Sequence, residues 1–239
     1  MRPAPLLAPL LSLPLAVLLT ACGSGGAPTP ATPETSQTVM TQTSADADLL
    51  RAATAGDTTR ARRALQDGAR LEARDLQGRT ALLLAATYDH VELARLLVAE
   101  GASPDALDDR HDTPWLVTGV TGSVAMLEAL LPANPDLTIR NRYGGLSPIP
   151  ASERGHADYV RRVARTDVDL DHVNDLGWTA LLEAIVLGDG GADHQEVVEA
   201  LLGGGADPLI ADADGVTPLA HAERRGYDEI ADLLRDATR

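Results

Sequence analysis

The chain of 239 residues has no phenylalanine, no lysine and only one cysteine. Hydrophobic residues still make up 44 % of it, and almost all of them are Ala, Leu and Val, which is typical of small helices packed closely together. All 20 basic residues are Arg, and together with 35 acidic residues they give a net charge of −15. Because a nucleic-acid binder needs a basic stripe to neutralise phosphates, this charge argues against a nucleic-acid partner.

Motifs of common catalytic sites are also absent from the sequence. It contains no Cys pair, no His-Glu-x-x-His, no Gly-x-Ser-x-Gly and no phosphate-binding glycine loop of the usual spacing. We therefore expect no enzymatic activity and no cofactor. One alternative stays open, since Asp189, Asp193 and His194 could form a metal-binding or hydrolytic site, although Gly-rich Asp loops are more often turns.

The first 22 residues have the pattern of an export signal. A short positive end is followed by an apolar run from Leu6 to Leu19, which is too short and too interrupted by proline to span a membrane. The run ends in Leu19-Thr20-Ala21-Cys22, which resembles the lipobox of bacterial lipoproteins. This resemblance implies cleavage before Cys22 and a diacylglyceryl thioether on its sulfur, which would be the chain's only attachment to a membrane.

The segment after the lipobox predicts where the protein is anchored and how. Gly23, rather than Asp, follows Cys22, and in the sorting pattern of lipoproteins this implies the outer membrane, on its periplasmic side. Residues 23–46 are rich in Gly, Ser, Thr, Pro and Ala and have few large apolar groups. We expect them to form a disordered tether between the membrane and a folded domain at 47–239.

The rest of the chain repeats itself with a period of about 33 residues. Five acidic or amide residues, spaced 33, 33, 33 and 38 residues apart, each precede a turn and a new helix: Asp75, Asp108, Asn141, Asn174 and Asp212. Threonines stand at the expected N-caps and prolines at the first helical position, where a missing N–H costs nothing: Thr80, Thr113, Thr179, Thr217, Pro114 and Pro218.

Around these threonines the chain resembles the Thr-Pro-Leu-His signature of ankyrin repeats. Thr80-Ala81-Leu82 recurs as Thr179-Ala180-Leu181 and as Thr217-Pro218-Leu219. The resemblance implies an all-α solenoid of about six helix-turn-helix repeats with β-hairpin-like loops, in which neighbouring repeats stack to bury their apolar faces. The six repeats are predicted at 47–74, 75–107, 108–140, 141–173, 174–211 and 212–239, the outer two being caps.

Two repeats depart from this pattern. Repeat four has Leu146-Ser147-Pro148-Ile149-Pro150 in place of the signature, so its first helix should start late and be short. Repeat five carries five extra residues, which we place between its helices at Asp189 to Asp193. Three histidines share one repeat position at the start of the second helix, and in ankyrin repeats that residue usually makes structural hydrogen bonds: His90, His156 and His194.

The resemblance also implies a binding face, because ankyrin proteins usually bind partners through hairpin tips and the exposed side of first helices. Transferred to this chain, the partner-binding residues are Tyr88, Arg110, Asp112, Arg142, Tyr143, Glu153, Arg154, Asp175, Leu176, Trp178, Val186 and Leu187. Aromatic residues beside Arg are typical of interface hot spots. We place the main contact surface across repeats four and five, around Tyr143, Arg154, Trp178 and Leu187.

Three functional hypotheses follow. The first is a monomeric, non-catalytic lipoprotein scaffold that captures a protein or peptide with exposed carboxylates, which Arg142 and Arg154 would anchor. The second is an inhibitor or immunity protein for a periplasmic enzyme, a task that suits a rigid concave solenoid. The third is the metal-binding or hydrolytic site in the repeat-five insert. The fold alone does not choose among them.

Overall fold

The computed structural model describes residues 34–239, and its side chains from residue 43 onward. The lipobox, Cys22 and residues 23–33 lie outside this part. Twelve α-helices and one 3-10 helix occur within it. They are α1 (Glu34–Ala55), α2 (Thr58–Gln66), α3 (Ala81–Thr87), α4 (Val91–Ala99), α5 (Pro114–Thr121), α6 (Val124–Leu130), the 3-10 helix Leu131–Ala133, α7 (Pro148–Glu153), α8 (Ala157–Val163), α9 (Ala180–Val186), α10 (Ala192–Gly203), α11 (Pro218–Arg225) and α12 (Asp228–Ala237).

The helices form six pairs that stack in a line. The first helices of successive pairs pack on one another from α1 through α3, α5, α7 and α9 to α11, and the second helices do the same from α2 to α12. One isolated antiparallel bridge, between Arg74 and Thr80, is the only β pairing in the described residues. The predicted all-α ankyrin-type solenoid is therefore confirmed. No helix within residues 34–239 is long and apolar enough to cross a membrane.

Hairpin turns between the repeats are closed by the predicted acidic and amide residues. At Asp108, Oδ1 accepts hydrogen bonds from the backbone N–H groups of Arg110 at 2.8 Å and Asp112 at 2.9 Å. The Asp108 N–H donates to the Asp112 carbonyl at 3.0 Å. The same three bonds recur at Asp75, Asn141, Asn174 and Asp212. One side chain thus fixes each turn.

The four predicted threonine caps are confirmed as well. Thr80 Oγ1 accepts from the Leu83 N–H at 3.2 Å, and the other three threonines cap α5, α9 and α11 in the same way. Repeat four lacks such a threonine. Its helix α7 begins one residue later than α5 does in the 33-residue register and is six residues long, as predicted. It also has no side-chain cap.

The histidines at the start of the second helices join neighbouring repeats. His90 Nε2 lies 3.2 Å from the carbonyl oxygen of Thr54, and His156 and His194 make equivalent contacts with the preceding repeat, which confirms their structural role. Two of the rings need a glycine opposite, since a Cβ on Gly56, where φ is +70°, would lie 2.6 Å from His90, and one on Gly122 would lie 2.4 Å from His156. In repeat two, Asp89 takes the place of this glycine. The residue of repeat three that would face it is Ser123 and not a histidine.

The start of the folded domain differs from the prediction. Helix α1 begins at Glu34, and Ala45 and Asp46 are buried. Asp46 accepts hydrogen bonds from the backbone N–H of Arg70 at 2.6 Å and from its Nε at 2.9 Å. The structure thus differs from the predicted disordered tether over residues 34–46, which belong to α1. Residues 34–46 contain neither Gly nor Pro, the residues that interrupt helices. A helix can therefore extend through them once tertiary contacts stabilise it.

The insert of repeat five lies between α9 and α10, as predicted, but only part of it is loop. Ala192 and Asp193 form the first turn of α10, which has 12 residues. Asp189 Oδ1 lies 2.9 Å from His194 Nδ1, and the Gly191 N–H and this imidazole lower the pKa of Asp189. Within the described residues, no group of three or more His, Cys, Asp or Glu side chains is arranged to hold a metal ion.

Candidate functional site

A cavity of about 600 Å³ opens on one face of the stack and extends over repeats two to five. Its walls are hairpin residues and the exposed sides of first helices, which are the elements from which the binding face was predicted. We call it the concave cavity. Eight of the twelve predicted partner-binding residues line it: Arg110, Asp112, Arg142, Tyr143, Glu153, Arg154, Leu176 and Leu187.

The other four predicted residues, Tyr88, Asp175, Trp178 and Val186, are not among those lining the cavity. Tyr88 is exposed and lies beside His90, with 6.1 Å between ring centroids. Trp178 is half-buried, and its backbone N–H and carbonyl close the Asn174 turn. The structure thus brings Tyr143, Arg154 and Leu187 to one cavity, without Trp178.

Apolar side chains are exposed around the concave cavity. Tyr143, Leu176 and Leu187 are each 50–55 % exposed, and Val120 is 40 % exposed. These four come from three different repeats, yet they line the same cavity. Clustered apolar surface rimmed by polar residues marks interaction sites on soluble proteins.

Two guanidinium groups at the mouth share one carboxylate. Asp112 Oδ2 lies 3.5 Å from Arg142 Nη1 and 3.9 Å from Arg110 Nε. Burial and the neighbouring Asp108 raise the pKa of Asp112, while the two arginines oppose this. Arg142 also stacks over Tyr143, 4.5 Å from the ring centroid. With Asp112 ionised, these three side chains carry one positive charge, which the carboxylate of Asp108, another cavity residue, offsets.

The second predicted anchor, Arg154, already has partners within the chain. Its Nη1 lies 3.1 Å from Glu153 Oε2 and donates to the carbonyl oxygen of Pro150 at 3.3 Å. The charges of Arg154 and Glu153 therefore offset each other. Of the two predicted carboxylate anchors, Arg142 is therefore the one with the longer ion pair, 3.5 Å to Asp112 against 3.1 Å for Arg154 and Glu153.

Glu183, on α9, is a cavity residue that the sequence analysis missed. Only 4 % of it is exposed, and its Oε1 accepts a hydrogen bond from Asn174 Nδ2 at 2.7 Å. Burial raises the pKa of Glu183 to about 7, despite the lowering effect of the Asn174 hydrogen bond. The sequence did carry a signal, because the same position in repeats two and three holds Leu84 and Val117.

Comparisons with known proteins agree with the geometry. The profile of the family described as ankyrin repeats (3 copies) matches residues 49–141 and 149–238. Over 189 residues the chain is 40 % identical to the ankyrin repeat protein YahD of Escherichia coli (strain K12), an alignment that covers 79 % of this chain and 94 % of YahD.

Solved structures show the same relationship. An ankyrin repeat domain from Acinetobacter baumannii AYE superposes with a TM-score of 0.76 at 44 % identity, over 80 % of this chain and 97 % of that domain. The ankyrin repeat domain of Bcl-3, a member of the IkappaB protein family, gives a TM-score of 0.71 at 26 % identity, over 80 % and 85 % of the two chains. The chain therefore belongs to the ankyrin repeat family.

Proposed function

We propose that this chain is a non-catalytic scaffold that binds a protein or peptide in the concave cavity. The main support is that exposed apolar residues from several repeats lie in one cavity beside arginine: Val120, Tyr143, Leu176 and Leu187. Such pairing of aromatic and apolar anchors with Arg is the composition of binding hot spots. Ankyrin repeats generally mediate protein–protein interaction, and a single chain forms the whole cavity, so a monomer suffices.

The mouth of the cavity favours a partner with an exposed carboxylate. Arg110 and Arg142 share Asp112 at 3.9 and 3.5 Å, distances longer than a charge-assisted hydrogen bond. A carboxylate of the partner can therefore approach Arg142 without breaking a short ion pair.

Affinity capture from a bacterial envelope extract tests this proposal, with Tyr143→Ala and Tyr88→Ala as matched variants. Both tyrosines are about half exposed, but only Tyr143 lines the cavity. We expect Tyr143→Ala to weaken binding of the captured partner by about 2 kcal/mol or more, the threshold of a hot spot, and Tyr88→Ala to have a smaller effect. Undiminished binding by a folded Tyr143→Ala variant would remove the cavity from consideration.

We further propose that a lipid on Cys22 holds the protein at the bacterial envelope, on the periplasmic side. The support is the Leu19-Thr20-Ala21-Cys22 pattern and the bacterial origin of two of the relatives. Cys22→Ser should leave a protein that no longer partitions into detergent, whereas the unaltered chain should do so. Equal partitioning of the two would exclude the lipid.

A further inference from the structure

Glu183 is an acidic residue at a position where the fold needs none. The equivalent residues of repeats two, three and four are Leu84, Val117 and Pro150, all apolar. Burying a carboxylate costs free energy unless a partner offsets its charge. A buried acid where the other inner repeats have apolar residues therefore calls for a role other than packing.

Within the described part of the chain, Glu183 has no cationic partner. Oε1 accepts the Asn174 amide, and no described residue donates a hydrogen bond to Oε2. No Arg or His nitrogen from residues 43–239 lies within 4 Å of the carboxylate. Arg154 acts on Glu183 electrostatically, but its guanidinium contacts Glu153 and the Pro150 carbonyl.

Repeat six shows how the same place is filled when the acid has an imidazole partner within the chain. His221 takes the position of Glu183, and Asp212 takes that of Asn174. His221 Nε2 lies 2.6 Å from Asp212 Oδ2, and both side chains are largely buried. In repeat five, Glu183 on the helix is bridged to the hairpin in the same way, but by the neutral amide of Asn174. The carboxylate of Glu183 therefore has no basic partner, and it lines the concave cavity.

We propose that the concave cavity receives an Arg or Lys side chain of a bound peptide, whose cationic end pairs with Glu183. The alkyl part of that side chain would pack on Tyr143, Leu176 and Leu187, which line the same cavity, as long basic side chains do on apolar surface. This inference rests on the proposed function and adds the chemistry of one peptide residue. The site of this basic residue lies on the cavity floor, separate from the carboxylate site at Arg142.

Binding of a cation at Glu183 depends on pH, because only the ionised carboxylate pairs with it. The helices that pack against α9 are α7, α10 and α11. Charged or titratable groups on or directly after them are Glu153, Arg154, Asp193, His194, Glu196, Glu199, His221, Glu223, Arg224 and Arg225. Glu153 and Arg154 act on Glu183 with opposite signs, and the burial described above sets its titration near neutral pH. The preference for a basic residue should therefore fall between pH 8 and pH 6.

The test uses the full chain in detergent and four pools of acetylated, amidated nonapeptides. The central residue of the pools is Arg, Lys, Gln or Glu, and the other positions are randomised. Retention is compared for the unaltered chain, Glu183→Gln, Glu183→Leu and the control Glu92→Gln, in which the lost acid is 85 % exposed on α4. The Leu variant reproduces the residue of repeat two, so it provides a second folded test protein.

We expect the unaltered chain and Glu92→Gln to retain the Arg and Lys pools at least about tenfold better than the Gln pool at pH 8, which corresponds to about 1.4 kcal/mol. Both Glu183 variants should lose this preference, and the unaltered chain should lose most of it at pH 6. Equal retention of all pools by the unaltered chain, or an undiminished preference in both Glu183 variants, would overturn the inference and leave the proposed function intact. Failure to retain any pool would overturn peptide binding itself.

Discussion

Replacing Glu183 by Gln should make the fold more stable at alkaline pH and change little in acid. The pKa of Glu183 is about 7 in the folded chain, against an ordinary value of 4.5. Below pH 4.5 the group is protonated in both states and contributes nothing. Between pH 4.5 and 7 the unfolded chain ionises first, so stability falls as pH rises, and above pH 7 the full penalty applies. At about 1.4 kcal/mol for each pKa unit, that penalty is about 3 kcal/mol.

Gln cannot ionise, and it keeps an oxygen for the Asn174 amide. Its stability advantage over Glu should therefore grow by about 2.5 kcal/mol between pH 5 and pH 8. Urea unfolding followed by circular dichroism at both pH values measures this advantage, and Glu92→Gln controls for the loss of one exposed negative charge. An advantage that is the same at pH 5 and pH 8, or a Gln variant less stable at pH 8, would refute the assignment of a buried, unpaired carboxylate.

Two further predictions concern the stack. Leu181→Ala, at a buried position of an inner repeat, should cost roughly 2 to 5 kcal/mol of unfolding free energy, measured by urea unfolding. Leu234→Ala should cost less because, among the described residues, α12 packs against a neighbouring repeat on one side only, and equal losses would count against a linear array. Gly119→Ala should lower the melting temperature markedly, since the new Cβ would lie 2.0 Å from the Ser147 carbonyl oxygen. Gly203→Ala should not, because a Cβ there would meet nothing within 4 Å. Similar melting temperatures for the two variants would show that α5 and α7 are not in close contact.

The regular part of the fold could be predicted because it depends on local chemistry that recurs. A side chain such as Asp108 closes a turn through its own neighbours, and Thr80 caps its own helix, so both leave a signal at a fixed spacing. The start of α1 could not be predicted in this way. Within α1, Asp46 contacts Arg70, which is 24 residues away, and this pair belongs to no repeated pattern.

The candidate site was predictable to a similar extent. Repeat positions indicated which side chains face the concave side, and most of them line the cavity. Trp178 does not, because a half-buried orientation within a hairpin depends on packing that periodicity does not encode. Glu183 was missed because the equivalent residues of repeats two to four are apolar, so an acid there interrupts a pattern of core residues and does not extend the pattern of exposed ones.

The link between histidine and the preceding repeat is not uniform along the stack. His90, His156 and His194 each contact a carbonyl of the repeat before, and Tyr227 does so in repeat six through its hydroxyl and Gly188. Among the described residues, the junction of repeats two and three is the only one without such a bond. At this junction, the turns between the two helices of each repeat are joined by apolar packing. The hairpins still share a hydrogen bond, which the Asp109 N–H donates to the Gln77 carbonyl.

That junction is held without the linking bond, because α3 packs on α5 and α4 packs on α6 across it. The stack therefore does not need a ring at every interface, and the concave cavity, which begins in repeat two, spans the junction that lacks one.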